Sequence, residues 1–154
     1  MKIRQATLKD TAAICRVHRA SITTMCSSHY TPEQIEVWAG PKQPQDYEGA
    51  IERTAFFVAE EGCEVVGLSF LDRDSGEVHA VYVHPDYAER GIGTALLTAL
   101  EEEARLSNLS TVTLNATLNS VSFYENRGFS SLGEATNTLP SGIGLPCVRM
   151  EKCL

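Results

Sequence analysis

A run of period two gives way to a run of period four across a pair of glycines, and that switch constrains the chain more than anything else in it. From Glu77 to Val83, charged or polar residues (Glu77, His79) alternate with apolar ones (Val78, Ala80, Tyr82), the pattern of a half-buried strand. From Gly91 onward Ile92, Leu96, Leu100 and Ala104 recur every four residues, with Ala95 and Ala99 widening the stripe, as on an amphipathic helix. The chain therefore passes from a strand, through Pro85 and a short loop, into a helix that opens at Gly91-Ile92-Gly93-Thr94. The first N–H groups of a helix have no internal acceptor and point outward together. With the helix dipole they make an anion site, and glycines let a diphosphate approach the backbone closely. Arg90 adds a positive charge at the same place. The same residues also suit a simple tight turn with close helix packing. No G-K-[ST] follows, which excludes a nucleotide P-loop, and the third glycine of a dinucleotide fingerprint is missing.

The flanking segments set the rest of the architecture. Residues 2–6 read as a short strand, and Thr7 stands three residues before Asp10 ahead of the periodic run Leu8, Ala12, Cys15, His18, Ile22, so a helix follows. Thr31-Pro32-Glu33-Gln34 holds a cap, a proline suited to the first helical position and a capping-box partner, predicting a second helix that carries Ile35 and Trp38 and stops at Gly40-Pro41. A third short helix is expected around 45–53. Residues 55–59, 64–72 and 77–83, joined by short turns, predict an antiparallel meander. After the glycine-initiated helix come a strand at 111–114, a helix at 119–127, a strand at 128–132, a Gly/Pro-rich loop at 139–146 and a last strand near 147–152. The sum is an α/β (α+β) fold: a mixed, mostly antiparallel sheet of six to seven strands flanked by about four helices, as one domain over residues 1–154.

Composition bounds the function. With 43% hydrophobic and 21% charged residues the chain is globular, and its formal net charge of −7 argues against a general nucleic-acid-binding surface. There is no apolar run approaching the ~20 residues of a membrane span, and the first residues lack a signal-peptide core. Five cysteines without paired spacing read as reduced thiols of a cytoplasmic protein. Cys26-Ser27-Ser28-His29 has a C-x-x-H spacing but no second ligand pair, so no metal is expected.

Two segments together resemble the GNAT N-acetyltransferase superfamily. Val81-Tyr82-Val83 matches the L-x-V strand end of that family, and Ala88-Glu89-Arg90-Gly91-Ile92-Gly93 matches its Q/R-x-x-G-x-G/A loop, with Ala88 standing where Gln or Arg is usual. Downstream, across a strand, Asn119-Ser120-Val121-Ser122-Phe123-Tyr124-Glu125-Asn126-Arg127-Gly128-Phe129 resembles the family's N…(F/L)-Y-E-x-x-G-F run. The stretch His29-Tyr30-Thr31-Pro32-Glu33-Gln34-Ile35-Glu36-Val37-Trp38 is similar to one shared by a bacterial subgroup whose substrates are mostly unassigned.

The resemblance implies an acyltransferase that moves an acetyl group from acetyl-CoA to an amine of a small molecule, peptide or protein. A non-catalytic acyl-CoA sensor that keeps the same cofactor site is the alternative. Main-chain groups of Val81, Tyr82 and Val83 are expected to pair with the pantetheine arm, and those of Glu89, Arg90, Gly91, Ile92, Gly93 and Thr94 to hold the diphosphate. Asn119 either bonds the coenzyme arm or caps the helix that carries Tyr124. Tyr124, a phenol that keeps its proton at neutral pH, is the expected donor to the departing thiolate. The base that frees the amine is Glu77 or His79, which lie two apart on one strand, or a water they hold. Tyr30 and Trp38 either line an acceptor pocket or serve the core. No cysteine resembles an activated nucleophile, so direct transfer is expected. The acceptor and the oligomeric state, homodimer included, stay open.

Overall fold

A computed structural model describes residues 1–154 and builds one seven-stranded sheet in the order β1-β2-β3-β4-β5-β7-β6. The strands are β1 (Lys2–Gln5), β2 (Ala55–Glu61), β3 (Glu64–Leu71), β4 (Glu77–Val83), β5 (Thr111–Thr117), β6 (Ser130–Thr138) and β7 (Gly144–Cys153). Every pairing is antiparallel except β4 with β5, which is parallel. The helices are α1 (Thr11–Met25), α2 (Pro32–Ala39), α3 (Glu48–Arg53), α4 (Ile92–Leu106) and α5 (Val121–Glu125).

The helices start where the chain's local chemistry allows. Ahead of α1, the Thr7 amide donates to Asp10 at 2.8 Å, and Arg4 clasps the same carboxylate with two bonds of 2.8 and 2.9 Å. That guanidinium holds the Asp10 carboxyl below its ordinary pKa. At α2 the reciprocal Thr31–Gln34 capping box forms in full, at 3.1 and 2.9 Å. The four-residue stripe of α4 is buried as its spacing predicts, Ile92, Leu96, Leu100 and Ala104 being each at most 2% exposed; it is widened by Leu97, whereas Ala95 and Ala99 are only half-buried.

Alternation in the strands then assigns the two faces. Phe56, Val58 and Leu68 meet Ile14 and Val17 of α1, whereas Ala59 and Val66 meet Ile92 and Leu96 of α4. Removal of any one of these fully buried leucines would cost about 2–5 kcal/mol.

Two features of the sheet matter for function. The register of β4 against β3 skips His79, for Phe70 pairs with Ala80 and Leu71 with Val78. Such a bulge bends the strand and strengthens its twist. Next to it, β4 and β5 pair only at Glu77–Thr113 and Val78–Leu114. Past those two rungs the strands part, while β4 stays on β3 up to Val83 and β5 stays on β7 up to Thr117. The sheet is split at its centre.

The second half departs from the expected boundaries. The helix expected at 119–127 is a 3-10 turn, Leu118–Ser120, followed by the five residues of α5. The strand expected at 128–132 runs from Ser130 to Thr138, and the loop expected at 139–146 shrinks because β7 begins at Gly144. Pro146 is tolerated there because β5 ends opposite Cys147, so Pro146 has a neighbouring strand on one side only.

Candidate active site

The free backbone of β4 is the first element of the site. His84 donates its amide to Val66 of β3 at 2.8 Å. Because N–H and C=O directions alternate along a strand, Tyr82 also faces β3, whereas Val81 and Val83 aim their main-chain groups at the side that β5 has left. Of the three residues expected to meet an extended ligand arm, Val81 and Val83 offer free main-chain groups, whereas those of Tyr82 are taken up by β3.

Below them lies the turn into α4. Glu89 (φ 61) and Gly91 (φ 81) both adopt left-handed backbone, which is strained for a glutamate and persists where the surroundings impose it, often at ligand-gripping loops. The first intrahelical bond runs from the Ala95 amide to the Gly91 carbonyl at 3.1 Å. The amides of Ile92, Gly93 and Thr94 are thus left pointing out of the helix start. A Cβ on Gly93 would come within 3.2 Å of the Phe123 ring, so α5 packs directly on this turn. Two cations stand by: Arg90, over the Tyr87 ring at 5.1 Å, and Arg127, whose Nε donates to Thr94 Oγ1 at 2.7 Å while its guanidinium lies 3.8 Å over Phe123. Arg127 had no role in the sequence reading; its only signal was its place between Tyr124 and Gly128.

The split in the sheet is lined by three adjoining cavities. On the α4–α5 side a recess of about 160 Å³ is lined by Val81, Val83, Gly93, Asn119, Phe123 and Tyr124. It narrows to about 30 Å³ between Val81 and Leu114. On the other face it opens into a cleft of about 530 Å³ under α1 and α3. Tyr82 and Thr117 line all three parts. Tyr124 walls the recess and the narrows; burial pushes its phenol pKa up, with no hydrogen bond opposing the shift. The Asn119 Oδ1 atom is buried without a partner, so a helix-capping role does not engage it, and a donor on a molecule in the recess would satisfy it.

The large cleft gathers the remaining candidates. Glu77 and His79 both line it. Glu77 Oε1 accepts from Arg149 at 3.1 Å, and Arg149 also reaches Asn115 and Thr113 at 3.2 and 3.0 Å. His79 is exposed at the bulge and stacks on Phe70 with ring centres 5.5 Å apart. Tyr30 and Trp38 line the cleft with edge-to-face rings 5.4 Å apart. The Tyr30 hydroxyl is committed elsewhere: it donates to the Pro146 carbonyl at 2.6 Å and accepts from the Leu118 amide at 3.1 Å. It straps the start of α2 across the ends of β5 and β7 and presents only its ring.

Sequence reasoning missed His18, Tyr47 and Lys42 in the same cleft. His18 sat on the buried stripe of α1 and gave no other signal. Its Nδ1 is 2.9 Å from the Tyr47 hydroxyl, its ring centre is 4.3 Å from that of Tyr82, and burial holds its pKa down to about 3. Cys26, in the recess, is buried and pushed up to about 11, so it is a thiol and not a thiolate. No three His, Cys, Asp or Glu side chains are grouped to hold a metal, and no helix is long and apolar enough to cross a membrane.

The chain belongs to the GNAT acetyltransferase family: the Acetyltransferase (GNAT) domain matches residues 26–154. It is similar to the uncharacterized N-acetyltransferase YafP of Escherichia coli K12, with 26% identity over 132 residues covering 86% of this chain and 83% of that protein. The crystal structure of a GCN5-related N-acetyltransferase from Rhodopseudomonas palustris superposes with a TM-score of 0.92 at 27% identity, over 99% of this chain and 95% of that one. The PaiA N-acetyltransferase from Thermoplasma acidophilum, in complex with coenzyme A, shares the fold with a TM-score of 0.81 at 24% identity, over 99% and 98% of the two chains.

Proposed function

We propose that this protein transfers an acetyl group from acetyl-CoA directly to an amine that enters from the large cleft. The observation that carries the reading is the split in the sheet, with anion-seeking amides beside the recess on one side and titratable side chains in the cleft on the other. Acetyl-CoA, bound in the recess, would supply the activated acyl group as a thioester. The amides of Ile92, Gly93 and Thr94, with Arg90 and Arg127, would hold its diphosphate. The free main-chain groups of Val81 and Val83 would pair with the pantetheine arm as an added strand does, and Asn119 Oδ1 would accept from it. A β4 amide aimed into the gap would also polarise the thioester carbonyl.

The residues on the cleft side prepare the acceptor. An amine with a pKa near ~10 must lose a proton before it attacks. Glu77, through the oxygen that Arg149 leaves free, or His79 would take that proton directly or through a water. Tyr124, neutral because burial opposes its ionisation, would give its phenolic proton to the sulfur as the C–S bond breaks. Cys26 and Cys147, both held as thiols by burial, offer no acyl-enzyme route.

The test is release of free thiol when the protein meets acetyl-CoA and a panel of amines. Turnover with at least one acceptor is expected. Tight coenzyme A binding with no turnover on any amine would instead make the protein an acyl-CoA sensor.

A further inference from the structure

The walls of the acceptor cleft carry one cation, Lys42, and two carboxylates, Asp46 and Glu77. Glu77, with His79 beside it, belongs to the β4–β7 side, anchored to Arg149. On the α1 side stands Lys42, half-buried between Pro41 and Pro44 in the connector from α2 to α3. Its backbone is held: the carbonyl accepts from Cys15 Sγ at 3.5 Å, and the amide reaches the Ala39 carbonyl at 3.4 Å. Its ammonium makes no hydrogen bond and no ion pair within 4.0 Å, although burial lowers its pKa and so disfavours the charge it carries. Asp46, on the same cleft wall, favours that charge electrostatically. It is exposed and already accepts from the Gln43 amide at 2.8 Å.

Beside Lys42 the cleft presents a hydroxyl donor. Nε2 of His18 is buried with no partner. A proton there would be a buried donor with nothing to accept it, which costs more than a bare lone pair. The proton therefore sits on Nδ1 and is donated to the Tyr47 oxygen, 2.9 Å away. That leaves the Tyr47 O–H as a donor, turned toward Cys15 Sγ in the empty cleft and able to turn instead to a ligand in the cleft that Tyr47 lines. An unpaired ammonium and a hydroxyl donor on one side of a cavity form half of an anion site. Asp46 and Glu77 nearby disfavour a dianion there. The remaining wall carries four aromatic rings, Tyr30, Trp38, Phe70 and Tyr82, beside the polar side chains of Asn115, Thr117 and Asn137.

We infer that the acceptor is a zwitterion, an amino acid with an apolar or aromatic side chain, whose carboxylate is held by Lys42 and Tyr47 while its amine faces the gap beside Tyr82 and Thr117. This rests on the transferase reading and specifies its substrate class. His18 is a positioning residue in it, acting through Tyr47.

The test measures kcat/KM for apolar and aromatic amino acids, each against its carboxamide and its decarboxylated amine, with O-phosphoethanolamine as a dianionic control. Coenzyme A binding is followed separately by calorimetry. The free acids are expected to exceed their amides about tenfold to a hundredfold. Lys42→Gln should bring that ratio close to one, mainly through KM, and Lys42→Arg should restore part of it. Amides, simple amines or the phosphoamine used as well as the acids would overturn the inference while leaving the transferase reading intact. A ratio unmoved in Lys42→Gln would also overturn it. Absence of coenzyme A binding would instead sink the reading on which it rests.

Discussion

Replacing Tyr124 with phenylalanine separates chemistry from packing more cleanly than any other change in this chain. The side chain is 6% exposed and packs edge-to-face against Phe123 and Phe129, with ring centres 5.1 and 5.4 Å apart. Phenylalanine keeps those contacts. The lost hydroxyl takes no hydrogen bond with it, and because Tyr124 lines the recess its removal leaves no buried partner unpaired. The variant should therefore be as stable as the parent or more so, with a urea midpoint that does not fall. If the phenol protonates the departing sulfur, turnover should drop about 10²–10⁴-fold, with coenzyme A affinity nearly unchanged. The assay is thiol release at saturating acetyl-CoA, alongside urea unfolding of the same preparations. Full turnover in a folded Tyr124→Phe protein would refute the role. A fall in turnover that tracked a fall in stability would show a packing residue only.

Three further outcomes follow from particular contacts. His18 stays neutral in the native state down to about pH 3 but binds a proton near pH 6.5 once unfolded. Its neutral burial therefore carries no penalty above pH 6.5, and stability is lost as pH falls from 6.5 toward 3, by about 2 kcal/mol at pH 5; urea unfolding of His18→Phe should show a flatter acid slope than the parent. Tyr30→Phe removes a donor from the Pro146 carbonyl and an acceptor from the Leu118 amide, so its stability in the same assay should fall by about 1–3 kcal/mol. Gly91→Glu meets open space for its Cβ but a φ of 81°. The protein should fold with about 1–2 kcal/mol of backbone strain and bind coenzyme A at least about tenfold more weakly, as measured by calorimetry.

What the sequence made legible was local. The strand, loop and helix around Gly91 declare themselves by a change of period, and Asn119 and Tyr124 by their spacing from a glycine–phenylalanine pair. The β6–β7 hairpin was misjudged because Gly144 and Pro146 look like loop residues; only the end of β5 opposite Cys147 makes Pro146 acceptable in a strand. The bulge at His79 and the parting of β4 from β5 left no periodic trace, since Glu77–Val83 alternates as an unbroken strand would. The cluster of His18, Lys42 and Tyr47 comes from two separate segments and exists only once α1 and the α2–α3 connector dock over the sheet. Lys42 in particular is an ordinary surface residue by sequence and an unpaired half-buried charge by structure.

The central claim is that main-chain amides at the start of α4 hold a diphosphate and so aim a sulfur at Tyr124. Titrating the protein calorimetrically with coenzyme A, 3′-dephospho-coenzyme A and pantetheine tests it most directly. Both diphosphate compounds should bind at one per chain, and pantetheine about a hundredfold more weakly or not at all. Equal binding of pantetheine, or no binding of any of the three, would contradict it.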